Sequence, residues 1–173
     1  MALIPLAGRS HVLGQLFDVL APYGGKAGLQ VCQFLVRQEN ILVTAIGAGV
    51  LTLSTRGDEK EFDVVGDTKK DIFAIKIYRG KIQPFKYNIG ARIKKNGTML
   101  LELHINPSNV HRNPDGEKIC GSHWHIYTEE YGRTYAFPAE DVQEDAFVDN
   151  TIAFLTKFNV VEQPNINYQL ELL

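Results

Sequence analysis

Apolar and polar residues alternate along the middle of the chain, which is typical of strands that bury one face. The clearest example is residues 71–78. Phe73, Ile75 and Ile77 share one face, while Ile72, Ala74, Lys76 and Tyr78 share the other. Successive side chains of a strand point to opposite faces, so we expect the first set in a core. Residues 61–65 and 81–88 are the neighbouring strand candidates, and Pro84 argues against an interior position for the second.

A hairpin is predicted around Asn96 and Gly97, which separate strand candidates at residues 91–95 and 98–105. The dipeptide Asn-Gly readily adopts the positive φ angles that a type I′ turn needs. We therefore expect these two strands to be antiparallel neighbours.

Helical periodicity is clearest at the two ends of the chain, and residues 28–37 fit either a strand or a short helix. Ser10 is a candidate N-cap for a helix that runs to about Leu20. A second helix is predicted to begin near residues 139–141 and to continue to Phe158, with Asn159 as a candidate cap. The expected helices therefore lie on either side of the strand region.

The predicted fold is α+β, with a mostly antiparallel sheet of five to seven strands and one helix at each end. Apolar runs at residues 41–45 and 50–55, joined across the glycines at 47–49, predict two early strands. The tail at residues 165–173 is either a final strand or frayed. We expect residues 1–60 to be an N-terminal extension that offers a partner-binding region. Residues 61–173 would then form the core domain.

Composition narrows the function classes. The 173 residues carry a net charge of −2 with a pI near 6.2, which excludes an overall positive field for nucleic acid. A local positive patch stays open, because Lys76, Arg79, Lys81, Lys86, Arg92 and Lys94 lie in the strand region. Cys32 and Cys120 form no metal or redox motif, which favours free thiols in a reducing compartment. No apolar run reaches the ~18 residues of a membrane span, and the N-terminus lacks a signal-peptide pattern. We expect a soluble cytoplasmic protein without a membrane partner.

Residues 104–133 hold the greatest concentration of titratable side chains, including four of the five histidines. Strand parity predicts which of them meet. In residues 98–105 the alternate apolar positions mark the core face, and in residues 122–127 Trp124 marks it. If these two strands are antiparallel neighbours, one exposed face collects the remaining side chains. These are Glu102, His104, His123, His125 and Tyr127.

The segment between those strands, residues 106–121, is predicted to fold over the same face as a loop. Pro107 and the turn sequence at residues 113–116 restrict its backbone. It would place four more polar side chains above the histidines: His111, Arg112, Asn113 and Asp115.

The first interpretation of this site is acid–base cleavage of a phosphodiester, which needs two proton-transfer groups and a cation. The catalytic candidates are His111, His123, His125 and Tyr127. The substrate-binding candidates are His104, Arg112, Asn113, Asp115, Glu129, Tyr131 and Arg133.

Two other interpretations stay open. In one, His123 and His125, with His104, His111 or a carboxylate, bind a divalent metal, which is the one cofactor this pattern allows. In the other, the histidines are structural and the surface binds a protein partner.

Two motifs, HRNPDG at residues 111–116 and HWHIYTEEYG at 123–132, resemble an uncharacterised family of small bacterial and phage proteins. Its pattern is similar to HxNPDG followed by HxHIYxEGY, and the resemblance covers roughly residues 61–158. Glu130 departs from it, since the family usually has glycine there. The resemblance implies a soluble prokaryotic or phage protein and brings no activity with it.

We therefore expect a nucleic-acid-directed hydrolase, an RNA-cleaving endonuclease, whose partner is RNA or a nucleic-acid-containing complex. The alternative is a non-catalytic inhibitor that binds a protein, such as an anti-CRISPR-like or antitoxin-like protein. A metal-binding protein is the third expectation.

Overall fold

The computed structural model describes residues 43–45, 49–66 and 70–169. Within these ranges the chain forms twelve strands and one helix. In chain order they are β1 (Val43–Ala45), β2 (Val50–Ser54), β3 (Glu59–Val65), β4 (Ile72–Arg79), β5 (Tyr87–Ile93), β6 (Met99–Ile105), β7 (Val110–Arg112), β8 (Lys118–Cys120), β9 (His123–Ile126), β10 (Ala136–Pro138), α1 (Phe147–Lys157), β11 (Val160–Glu162) and β12 (Asn165–Gln169).

Eight of the strands form one sheet in the order β10-β9-β6-β5-β4-β3-β1-β11. All neighbours are antiparallel except β1 and β11. This confirms the mostly antiparallel sheet, although the number of strands is larger than the five to seven predicted. The strands of this sheet that were not predicted are the three-residue edge elements β10 and β11. Segments that short carry too few positions for a period to be read from them.

The β5–β6 hairpin is confirmed, but its turn is not the predicted type I′. Of the two turn residues only Gly97 has a positive φ, at 74°, so the pair of positive angles is missing. The turn is instead closed by Ile93 N–H donating to Thr98 O and Gly97 N–H donating to Ile93 O.

Residues 81–86 form a turn and not the strand predicted for 81–88. Lys86 N–H donates to Gln83 O, and Gly80 N–H donates to Lys86 O. The strand begins only at Tyr87, because Pro84 cannot donate a ladder hydrogen bond.

Helix α1 begins at Phe147, several residues after the predicted start at 139–141. It lies on the apolar face of the sheet. There Phe154 packs on Trp124 with ring centroids 6.0 Å apart, and Phe158 packs edge-on to Phe73 at 5.6 Å. The end of the helix is as predicted, since Asn159 takes the positive φ of 60° that follows it. No helix in the described ranges has the length and apolar character needed to cross a membrane.

The two early strands do not pair with each other across the glycines at 47–49. β1 joins β3 and β11 in the large sheet, whereas β2 pairs in parallel with β12. Both strands therefore pair with segments from after residue 61. The predicted N-terminal helix lies outside the described residues, and the extension over residues 1–60 stays a prediction.

Candidate functional site

The predicted strand parity is confirmed. β6 and β9 are antiparallel neighbours, with His104 opposite His123 and Glu102 opposite His125. Leu103 faces Trp124 on the other side of the sheet, where both are buried in the core. The three imidazoles therefore share the face that α1 does not cover.

The segment above this face is more ordered than the predicted loop. It contains the two-stranded hairpin β7–β8, and His111 lies on β7. Asn113 connects the hairpin to β10 through two hydrogen bonds with the backbone of Ala136. Its Nδ2 donates to Ala136 O at 2.9 Å, and its Oδ1 accepts from Ala136 N–H at 2.8 Å. Tyr135 O–H donates to Asp115 Oδ2 at 2.7 Å. Asn113 is 1 % exposed, and with Asp115 it anchors the hairpin; the substrate contacts predicted for both residues stay predictions.

The histidine cluster, formed by His104, His111, His123 and His125, brings four imidazole rings into contact. Ring centroids are 5.1 Å apart for His104 and His123, and 4.8 Å apart for His104 and His125. His111 lies 5.3 Å from His123 and 4.9 Å from His125. His123 and His125 are separated by 4.9 Å.

Hydrogen bonds fix the tautomers of two rings. His111 Nε2 lies 3.0 Å from Thr134 O, and His123 Nδ1 lies 2.9 Å from Gly121 O. A carbonyl oxygen only accepts, so each of these nitrogens carries the proton and donates it. In the neutral ring, the second nitrogen of each then keeps its lone pair.

Two buried ring nitrogens in the described part of the chain have no hydrogen-bond partner: His123 Nε2 and His125 Nδ1. Their residues are 0 % and 7 % exposed. Leaving a buried polar atom unsatisfied costs about 1–3 kcal/mol, and such atoms are uncommon in folded proteins. Two of them in one cluster are polar atoms available to a ligand or an ordered water.

Burial also keeps these rings neutral. The pKa of His125 is lowered to about 4, mainly by burial and to a smaller extent by the nearby His104, His123 and His111 rings. The pKa of His123 is lowered mainly by burial, against the raising effect of its bond to Gly121. Neutral imidazole is the form that binds a metal ion.

Glu102 and Arg133 complete the edge of the cluster. Glu102 Oε1 lies 3.7 Å from His104 Nε2, and Arg133 Nη1 lies 3.3 Å from Glu102 Oε2. Burial raises the pKa of Glu102, but His104 and Arg133 outweigh it and leave that pKa below its ordinary value. The carboxylate is therefore held charged beside the imidazoles, and the largely exposed guanidinium of Arg133 faces solvent.

The geometry suits a metal ion. One ring nitrogen from each of His104, His123 and His125 lies within 4.8 Å of the other two. Around a tetrahedral zinc ion with bonds of about 2.0–2.1 Å to nitrogen, neighbouring imidazole centroids lie roughly 5 Å apart. The observed centroid separations are in that range, whereas the ring nitrogens, up to 4.8 Å apart, have to approach to about 3.3 Å to share one tetrahedral ion.

The other predicted site residues lie at the margin. Tyr127 packs partly buried against the core, and Tyr131 packs on Tyr135 at 5.5 Å. Arg112 Nη1 reaches Gly116 O at 3.4 Å within its own hairpin, and Glu129 is exposed. Their substrate or catalytic roles stay predictions. The sequence did not indicate the carbonyls of Gly121 and Thr134, because backbone groups leave no residue signal.

The positive patch left open by the sequence is largely neutralised. Lys76 pairs with Glu59 at 2.7 Å and Arg92 pairs with Glu61 at 2.9 Å, while Lys94 pairs with Asp63. Arg79 is 9 % exposed and lies inside the protein. Lys81 and Lys86 form no ion pair with another described residue, so these two cations of the patch stay available to a phosphate backbone.

Comparison with known proteins gives a family and no activity. No curated protein matches the chain, and no solved structure does. One family model matches residues 33–160, which include every strand from β1 to β10 and the whole histidine cluster. The chain belongs to that family, which is described as a family of unknown function (DUF6978).

Proposed function

We propose that the protein is a metal-dependent hydrolase of nucleic-acid phosphodiesters, with a divalent ion held by His104, His123 and His125. The observation that carries the proposal is the pair of buried, unpartnered ring nitrogens within a group of three convergent imidazoles. A bound ion would satisfy these nitrogens and offset the cost of burying them.

The choice of ion follows from the ligands. Imidazole nitrogen suits zinc and other late first-row divalent ions, whereas magnesium and calcium prefer oxygen. Three protein ligands with one position left for water is the usual arrangement of a catalytic zinc site.

The metal-free mechanism predicted from the sequence has less support. A general acid at neutral pH needs a pKa near 7, and burial brings the pKa of His125 to about 4. His125 would carry a proton in fewer than about one molecule in a hundred at pH 7. The ring is better suited to donate a lone pair than a proton.

In the proposed reaction an ion held by His104, His123 and His125 would polarise a phosphoryl oxygen and lower the pKa of a bound water. The water oxygen attacks phosphorus, one P–O ester bond breaks, and the departing oxygen takes up a proton from solvent. Glu102, held as a carboxylate opposite His125, is available to accept the proton that the attacking water loses. Arg133, which keeps 62 % of its side-chain surface exposed, is available to bind the phosphate charge.

The test combines metal binding and cleavage. Chelator-treated protein is titrated with Zn²⁺, Mn²⁺ and Mg²⁺ by calorimetry and then incubated with end-labelled single-stranded RNA and DNA. We expect one site for Zn²⁺, cleavage only with metal, and loss of both in His123→Ala. Lys95→Ala, an exposed change in the β5–β6 turn, is the matched control and should behave as wild type.

The outcomes separate the interpretations. Cleavage that continues in chelator and disappears in His123→Ala would restore the metal-free mechanism. Zinc binding without cleavage of either nucleic acid would refute the hydrolase and leave a metal-binding protein.

A protein-binding inhibitor is the second candidate, favoured by the turn between β4 and β5. Ile82 is 90 % exposed there and Phe85 is 47 % exposed, next to Tyr78 at 48 %. Exposed aromatic and aliphatic side chains of this kind are common at protein interfaces. An anti-CRISPR-like or antitoxin-like role would depend on this turn and would survive His123→Ala, whereas Ile82→Asp would abolish it.

A further inference from the structure

We infer that His111 is a fourth ligand of the proposed ion, and that an anionic substrate reaches the ion by replacing it. The inference rests on the proposed metal centre and adds how access to that centre is controlled.

The position of His111 supports ligation. Its ring centroid lies 4.9 Å from that of His125 and 5.3 Å from that of His123. These separations match those among His104, His123 and His125, which are 4.8–5.1 Å. His111 therefore lies at this spacing from two of the three histidines, His123 and His125, and its ring has to move toward His104 to coordinate the same tetrahedral ion.

The tautomer of His111 supports ligation as well. Its Nε2 donates to Thr134 O, which leaves the lone pair on Nδ1. His123 is arranged in the same way with the nitrogens exchanged, since its Nδ1 donates to Gly121 O and its unpartnered atom is Nε2. Metal-ligating histidines commonly donate the other ring N–H to a carbonyl or carboxylate, which orients the ring and makes the ligand more basic.

The element that carries His111 makes it the exchangeable ligand. His104, His123 and His125 lie on β6 and β9, inside the eight-stranded sheet. β7 has three residues, pairs only with β8, and leaves His111 partly exposed. Elements with few buried contacts open at lower free energy than core strands, and an isolated two-stranded hairpin is marginally stable. The connection to β10 through Asn113 keeps the hairpin near the site when the ring is displaced.

Ligand number then decides what the ion can do. With four imidazoles the shell is full, as in structural zinc sites, and with three it has an open position, as in catalytic ones. An anion that binds the ion has to displace His111, because the other three ligands are fixed by the sheet.

The experiment uses Co²⁺ as the metal probe, because its visible absorption responds to ligand number, and inorganic phosphate as the anion probe. Wild-type protein, His111→Ala and His104→Ala are titrated with Co²⁺ and then with phosphate. We expect His111→Ala to bind Co²⁺ more weakly than wild type but more tightly than His104→Ala. Its spectrum should differ from wild type and return toward it when free imidazole is added.

Phosphate tests the displacement. In wild type, phosphate competes with His111 for the ion. Its apparent affinity is therefore the intrinsic affinity multiplied by the fraction of molecules in which the His111 ring is displaced. We expect His111→Ala to bind phosphate about tenfold more tightly than wild type. Lys118→Ala, an exposed change on the same hairpin, should leave both titrations unchanged.

Each failure has its own meaning. An unchanged Co²⁺ affinity and spectrum in His111→Ala would overturn the fourth ligand. A changed spectrum with unchanged phosphate affinity would overturn displacement. No Co²⁺ binding by wild type would remove the metal centre and this inference together, whereas Co²⁺ binding without nucleic-acid cleavage would remove only the hydrolase. Far-ultraviolet circular dichroism of each variant checks that it folds, and rescue by imidazole reports on the site itself.

Discussion

Acidifying the metal-free protein from pH 8 to pH 5 should lower its free energy of unfolding by roughly 2 kcal/mol through His125 alone. Burial lowers the pKa of this ring from 6.5 to about 4. As the pH falls below 6.5, the His125 ring becomes protonated in the unfolded chain but stays neutral in the folded protein. The free energy of unfolding therefore decreases. The loss grows until the pH reaches about 4, where it totals roughly 3 kcal/mol at about 1.4 kcal/mol per pH unit. Above pH 6.5 the ring contributes no pH dependence.

Other groups also titrate in this range, so the assay is a double difference. Urea unfolding is measured at pH 8 and pH 5, in chelator, for wild type and for His125→Gln. Glutamine is polar and does not titrate, so the variant should lose roughly 2 kcal/mol less than wild type over the same interval. Equal losses in the two proteins would refute the argument that the ring is held neutral by burial. A smaller loss in wild type than in the variant would reverse its sign.

Three further predictions concern the scaffold, each measured by urea unfolding at pH 8. Asn113→Ala removes both hydrogen bonds to Ala136 and leaves two buried backbone groups unsatisfied. It should lower the free energy of unfolding by about 2–4 kcal/mol and weaken metal binding. A decrease below about 0.5 kcal/mol would contradict the anchoring role of Asn113. Gly80→Ala would place a Cβ 2.8 Å from Gln83 O and should cost about 1–3 kcal/mol, whereas Gly49→Ala meets nothing within 4 Å and should be close to neutral. Arg79→Met removes a buried guanidinium that donates to two carbonyls and one hydroxyl, and should cost on the order of 3 kcal/mol.

The part of the site that lies on the sheet could be predicted because strand side chains alternate with a period of two. Trp124 and Leu103 had to face the core, and this alone placed His104, His123 and His125 on the opposite face. The same alternation located the core face of β4. Placing the three histidines required one long-range assumption, the pairing of β6 with β9, and locating the core face of β4 required none.

The rest depends on contacts that the sequence does not encode locally. His111 reaches the cluster because Asn113 binds the backbone of Ala136, a partner 23 residues away. The protonated nitrogens of two rings are set by backbone carbonyls, which every residue possesses. The late start of α1 has a similar cause: Asp141, predicted to lie at the helix start, instead accepts a hydrogen bond from Trp124 Nε1 at 2.8 Å.

The parallel pairing of β2 with β12 has a consequence for biosynthesis. Val50 lies opposite Asn165, so β2 remains an open edge while about a hundred further residues are translated. During that interval Arg79 also lacks the hydroxyl of Tyr168 that it later binds. An unpaired strand edge on a nascent chain is a template for association with other chains. Slow translation or ribosome stalling before residue 165 should therefore favour aggregation, and the risk ends only when residues 165–169 have left the ribosome and paired with β2.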